Sequence, residues 1–154
     1  MSTHTAVIRW NRPSPDFCAG RYSREHVWRF DGGIELAASP SPHVVPAPWS
    51  NPANVDPEEA FVASVASCHM LTFLFIAAKA GFAVQSYEDQ AEGVMTPNAA
   101  GRLWVSRVTL RPKIEWEGAR IPTASEVERL HEAAHEECFI ANSVRTEILV
   151  EAQS

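Results

Sequence analysis

Two cysteines carry the most chemical potential in this sequence. Cys68 lies in Ala66-Ser67-Cys68-His69-Met70 and Cys138 in Glu136-Glu137-Cys138-Phe139-Ile140. Two thiols form a redox pair only if the fold brings them together, and their wide separation in sequence does not show that it does. A free cysteine is also a small, easily buried hydrophobe, so packing is the plainer reading of each. To act as a nucleophile, a cysteine must be a thiolate. A cysteine in the middle of a helix gains little from the helix dipole, which acts over the terminal turns, so a cation has to stabilise it. Arg24 is a candidate because it shares a strand face with Tyr22, Trp28 and Phe30, and a charge among aromatics needs a reason if that face is buried. The plainer reading places Arg24 at a sheet edge with its charge in water. Arg21 is its rival. His26 shares the Arg24 face and His69 adjoins Cys68; each is more often a hydrogen-bonded structural residue than a catalyst.

A different chemistry is suggested by His131-Glu132-Ala133-Ala134-His135, which matches H-E-x-x-H. On a helix, positions i and i+4 bring both imidazoles to one face, as a zinc hydrolase requires, and Cys138 could add a third ligand. The same residue types are common on an amphipathic helix. With Leu130, Ala134 and Phe139 as the core stripe, the two histidines would be partly exposed and hold no metal.

These residues must be positioned by the elements around them. Thr5 to Trp10 reads as a strand. Pro13 and Pro15 mark a loop that carries Cys18 and Gly20. Tyr22 to Phe30 alternates as a strand, Asp31-Gly32-Gly33 turns, and Ile34 to Ala38 returns as the hairpin partner. Ser39 to Asp56 holds five prolines and no periodicity, a long loop of the kind that is often functional. Asp56, Pro57 and Glu59 then supply an N-cap, an N1 proline and a capping box. The helix they open runs to about Ala80 and stops at Gly81. Its apolar residues cover most of the circumference, which predicts a central, buried helix. Phe82 to Met95 and Leu103 to Trp116 read as two long strands around a turn at Pro97–Gly101. Thr123 to Glu126 is a second capping box, opening a helix that runs to about Cys138. Arg145 to Glu151 is the last strand. The order β-β-β-α-β-β-α-β is an α+β pattern in one domain spanning residues 1–154.

Composition narrows the function. The chain has 154 residues, 45% of them hydrophobic and 21% charged, as in ordinary globular proteins. A net charge of -6 with no basic cluster argues against nucleic acid as a partner. The longest apolar region, Phe61 to Phe82, is interrupted by Ser64, Ser67, His69, Thr72 and Lys79, which fits a buried helix better than a membrane span. The N-terminus lacks the pattern of a secretory signal, so a cytoplasmic location is expected. Three cysteines are too few for a disulfide scaffold, and in a reducing compartment they are reactive, metal-binding or packing residues.

Asp56-Pro57-Glu58-Glu59-Ala60-Phe61-Val62-Ala63-Ser64-Val65-Ala66-Ser67-Cys68-His69 resembles the central-helix signature of the OsmC/Ohr proteins (osmotically inducible protein C and organic hydroperoxide resistance). That signature is an Asn/Asp-Pro-Glu opening, small residues, then a cysteine ten positions after the Glu. His135 to Ser143, around Cys138, resembles the second cysteine motif of that family, and the order of elements agrees. The resemblance implies an intertwined homodimer with two active sites at the subunit interface. It implies that Cys68 reduces an organic hydroperoxide and becomes a sulfenic acid, and that Cys138 condenses with it to a disulfide which a cellular dithiol reduces. No cofactor and no metal are implied. A glutamate and an arginine assist in the family; Glu58 matches the first, and Arg21 and Arg24 compete for the second. Ten residues of straight helix separate Glu58 from Cys68 by about 15 Å, so an active Glu58 has to come from the partner subunit. Its plainer reading is an acid that favours a helix N-terminus.

The sequence departs from the better-known branches at Phe139, where a proline is common, at His69, where an aromatic is frequent, and in the proline-rich loop. Cys18 has no counterpart in the motifs and reads as an incidental loop thiol. Two alternatives remain beside the peroxidase: a zinc hydrolase on His131, Glu132 and His135, and a non-catalytic module that binds an apolar ligand.

Overall fold

Three short strands begin the chain: β1 (Ala6–Arg9), β2 (His26–Phe30) and β3 (Glu35–Ala38). The computed structural model describes residues 1–11 and 16–153. Pro13 and Pro15, read from the sequence as loop markers, lie outside the described residues. The three strands form an antiparallel sheet in the order β1-β2-β3, with Trp28 opposite both Ile8 and Leu36. The β2–β3 turn closes through Gly33, whose N–H donates to the Phe30 carbonyl at 3.0 Å and whose φ of +88° suits glycine. The proline-rich loop is tied down despite its lack of periodicity. The Asn51 N–H donates to Ser39 Oγ at 2.8 Å, and the Asn51 and Asn54 side chains both donate to Glu25 Oε2. The chain falls into two compact units, Met1–Ala60 and Phe61–Ser154, and these features belong to the first.

Helix α1 (Pro57–Lys79) starts where its caps predict: the Glu59 N–H donates to Asp56 Oδ1 at 2.7 Å, and the Asp56 N–H donates to Glu59 Oε2 at 3.1 Å. It ends at Gly81, with φ +83°. Its buried residues, Val65, His69, Phe73 and Ala77, recur every four positions and form one row. On another row Leu71 and Phe75 are 62% and 67% exposed. Apolar residues therefore do encircle the helix, yet the single chain covers only part of them. By length and composition α1 could cross a membrane.

The two long strands expected after α1 are each divided. β4 (Ala83–Asp89) and β5 (Glu92–Pro97) replace the first; β6 (Leu103–Leu110) and β7 (Pro112–Glu117) replace the second. β4 pairs with β7 in one sheet, while β5, β6 and β8 (Glu147–Val150) form another in that order, with β6 and β8 parallel. Pro112 marks the break, since it has no N–H for a ladder. Asp89 holds the corner by accepting the Arg111 N–H at 2.7 Å. The crossover from β6 to β8 contains α2 (Ala124–Glu137), opened by the Thr123–Glu126 capping box. Two apolar clusters result. Phe73, Ala77, Phe82, Leu130 and Ala134 join α1 to α2. Val65, Val108 and Leu110 join α1 to β6. Gly93 makes the second contact close: a Cβ there would lie 2.5 Å from Val62 Cγ2.

Candidate active site

Cys68 and Cys138 meet in the second unit. Cys68 is half-buried in the middle of α1, and Cys138 is the C-cap residue of α2. The Cys68 side chain is near enough to act on the Cys138 thiol, and both are free thiols. The carrier of Cys138 is fixed by Asn142, whose backbone N–H and side-chain Nδ2 both donate to the Cys138 carbonyl, at 3.0 and 3.1 Å. Burial, above all, pushes the Cys138 thiol up; it is only 1% exposed, and the neighbouring Cys68 thiol pushes in the same direction. The nearby backbone N–H groups of Ala141 and Ile140 oppose that shift. Cys138 is thus a protected thiol, and Cys68 is the more accessible of the two. Phe139, which follows it, is 81% exposed.

The arginines and Glu58 belong to the first unit. Arg24 is half-buried; its Nη1 donates to the Tyr22 carbonyl at 3.0 Å, and its guanidinium lies 4.0 Å above the centre of the Tyr22 ring. Tyr22 in turn packs on Phe17 and Trp10. Arg21 is exposed and its Nε pairs with Asp16 Oδ2 at 3.4 Å. Of the two, Arg24 has the fixed orientation. His26 accepts the Trp28 indole N–H at 2.9 Å on Nε2, and its Nδ1 lies 2.8 Å from the Arg24 carbonyl, which makes it a structural link along β2. Glu58 is half-buried in the first turn of α1, which continues unbroken past Cys68. Cys18 is exposed, in a one-turn 3₁₀ helix (Phe17–Ala19).

The H-E-x-x-H segment adopts a helix but not a metal-binding arrangement. His131 is 4% exposed and turns inward, while Glu132 and His135 are exposed. Among the described residues, no three His, Cys, Asp or Glu side chains are grouped to hold a metal ion. His131 instead meets His69. His131 Nδ1 lies 3.0 Å from His69 Nε2, and the rings stack with a 9° interplanar angle and centroids 5.3 Å apart. Phe73 stacks on His131 at 4.3 Å. Burial, chiefly, lowers both imidazoles to about 4, so both are neutral at physiological pH; repulsion from His131 and His135 adds to the effect at His69. The pair's outer nitrogens, His69 Nδ1 and His131 Nε2, have no partner among the described residues. Sequence reasoning set His131 beside His135 and His69 beside Cys68, and missed the His69–His131 pair. The available signal was an imidazole on the apolar row of each helix.

The family model described as OsmC-like protein matches residues 50–153. No curated protein sequence matches the chain. Among solved structures, an OsmC-like protein of unknown function from Vibrio cholerae is 52% identical, with a TM-score of 0.96 over 99% of this chain and 100% of that one. An organic hydroperoxide resistance protein OsmC from Legionella pneumophila is similar at 17% identity and TM-score 0.71, over 99% of this chain and 96% of that one. The organic hydroperoxide resistance protein OhrB of Bacillus subtilis is similar at 17% identity and TM-score 0.68, over 99% and 98%. These last two likenesses are of fold.

Proposed function

The chain belongs to the OsmC family, and from that membership and its paired thiols we propose that it is a thiol-dependent peroxidase acting on organic hydroperoxides. The observation that carries the reading is that the Cys68 side chain, on α1, acts on that of Cys138 at the end of α2. Relatives of the same fold that are named organic hydroperoxide resistance proteins support the choice of substrate.

Accessibility assigns the roles. The half-buried Cys68 is the attacking thiol and the nearly inaccessible Cys138 the resolving one. The Cys68 thiolate attacks the terminal oxygen of the hydroperoxide. The O–O bond breaks, the alkoxide leaves and takes a proton as the alcohol, and Cys68 becomes a sulfenic acid. The Cys138 thiolate then attacks the Cys68 sulfur. Hydroxide departs, is protonated to water, and the disulfide remains. The nearby Ala141 and Ile140 N–H groups favour the charge it needs for that step. A dithiol reductant restores both thiols by exchange.

Of the two arginines, Arg24 is the better candidate to support a thiolate, because its guanidinium is held by the Tyr22 ring and carbonyl whereas Arg21 is an exposed ion pair. Glu58 acts from the partner subunit of a homodimer, since ten residues of unbroken helix span about 15 Å. The exposed Leu71 and Phe75 on α1 give a partner an apolar surface to cover.

Intact mass and peptide mapping after a stoichiometric pulse of cumene hydroperoxide test the proposal. The expected product has lost two hydrogens and yields a Cys68–Cys138 linked peptide. In Cys138→Ser protein the expected product is a sulfenic or over-oxidised Cys68. Unchanged mass with both thiols free would remove the peroxidase reading.

A further inference from the structure

A cleft in the Phe61–Ser154 unit stands apart from the thiols. It opens between β7, α2 and β8 with a volume of about 750 Å³, in the range of small-molecule sites. Ile114 and Trp116 of β7, Val127 of α2 and Ile148 of β8 give it apolar walls. Cys68 and Cys138 do not line it.

The charge at its edge has one sign. Glu128 and Glu132 line the cleft from α2, and both are exposed. They are four positions apart, so their carboxylates share one face of the helix, one turn from each other. Like charges at that spacing destabilise a helix unless a cation joins them. Neither forms an ion pair with a described residue. No Lys or Arg among the described residues lines the cleft. Lys113 lies between Pro112 and Ile114, which do line it, and strand alternation turns Lys113 to the opposite face of β7. Of the two histidines in the lining, His135 is exposed, and His131 is buried and neutral at physiological pH.

Apolar walls and two unpaired carboxylates complement one kind of guest. An anion meets like charge, and an uncharged apolar molecule leaves the carboxylates unanswered. A positive charge on an apolar body uses both features. We infer that the cleft is a binding site for a hydrophobic organic cation, a primary alkyl- or arylalkylammonium, with its ammonium between Glu128 and Glu132 and its apolar body against Trp116, Val127 and Ile148. An ammonium has three donors, enough to serve both carboxylates. Because the carboxylates are exposed, the ion pairs keep their water, and the desolvation cost of a buried pair does not arise. The site does not depend on the peroxidase reading, and Cys68→Ser protein is expected to retain it in full.

The test is an NMR titration of ¹⁵N-tryptophan-labelled protein with 4-phenylbutylamine, 4-phenylbutan-1-ol and 4-phenylbutyrate at low ionic strength. The expected result is a shift of the Trp116 indole N–H by the amine, with affinity about tenfold above that of the alcohol, and weaker binding still of the butyrate. Glu128→Gln/Glu132→Gln is expected to bring the amine down to the affinity of the alcohol and to leave the alcohol unchanged. Glu136→Gln/Glu137→Gln, which removes two exposed charges of α2 outside the cleft, is expected to leave the preference for the amine in place. Val127→Trp, which fills the cleft, is expected to abolish binding of both compounds. Equal binding of amine and alcohol, or a preference that survives Glu128→Gln/Glu132→Gln, would overturn the inference. So would a preference that falls as far in Glu136→Gln/Glu137→Gln, undiminished binding to Val127→Trp, or no binding up to the solubility of the amine.

Discussion

Cys68 and His69 are neighbours on α1, and each meets a residue carried by α2 or its C-cap, yet the two pairs live under opposite rules. The thiol pair is asymmetric: one member is half-buried, and the other is enclosed, with the backbone N–H groups of Ile140 and Ala141 favouring its charged form. The imidazole pair is buried on both sides, makes one hydrogen bond, and leaves two nitrogens unpartnered. Successive helical residues diverge by about 100°, enough to send one toward access and the next into the core. The lesson is that a reactive group needs its reacting form stabilised, whereas a structural group tolerates a pKa pushed far from neutrality, because it never has to ionise.

The sharpest way to break this contrast is to exchange the consequences. Cys68→Ser is expected to lower hydroperoxide consumption by on the order of 10³-fold or more. His69→Phe should leave it within a few-fold, measured as ferrous-xylenol orange loss of cumene hydroperoxide. A large loss in His69→Phe would make the imidazole part of the catalytic machinery and end the division between the pairs.

The next effect is on stability. Unfolded imidazoles titrate near 6.5, while His69 and His131 are held to about 4 in the fold. Between those values the unfolded chain binds protons that the folded chain refuses. Stability from this source is therefore complete above pH 6.5 and is lost as pH falls from 6.5 toward 4, by up to about 3 kcal/mol for each ring. Urea melts across that range should show the slope in the wild type, and the His69→Phe/His131→Phe protein should lack it. The smallest effect concerns the support behind both pairs. Gly93→Ala should cost about 1–3 kcal/mol, because its methyl would press on Val62 of α1. A thermal melt unchanged by that substitution would show that α1 can shift relative to β5.

Much of the frame was legible because local chemistry dictates it. The caps at Asp56–Glu59 and Thr123–Glu126 and the stop at Gly81 depend on residues within a few positions of each other, and each is found where the sequence puts it. The division of the two long strands was missed, although Pro112 inside the second run was a signal for it. The histidine pair was not legible. Its partners are far apart in the chain, and their meeting depends on how two helices pack. H-E-x-x-H spacing fixes which face two imidazoles share but not whether that face looks out or in, and here Leu130, His131 and Ala134 all turn to the core. The meeting of the two thiols required the structure for the same reason, although the motif around each was readable.

The double grip of Asn142 on the Cys138 carbonyl has a consequence for the redox cycle. Joining two cysteines across a long stretch of chain ordinarily requires closing a large loop, and the entropy of that closure opposes the bond. Here folding has already closed it. The carrier of one sulfur is tied down at 3.0 and 3.1 Å by its own neighbour, and the other sulfur sits on a long helix. Each thiol therefore experiences the other at a very high effective concentration, independent of how dilute the protein is. In the proposed cycle disulfide formation is an intramolecular step, and the slow events left are the two collisions with molecules from outside.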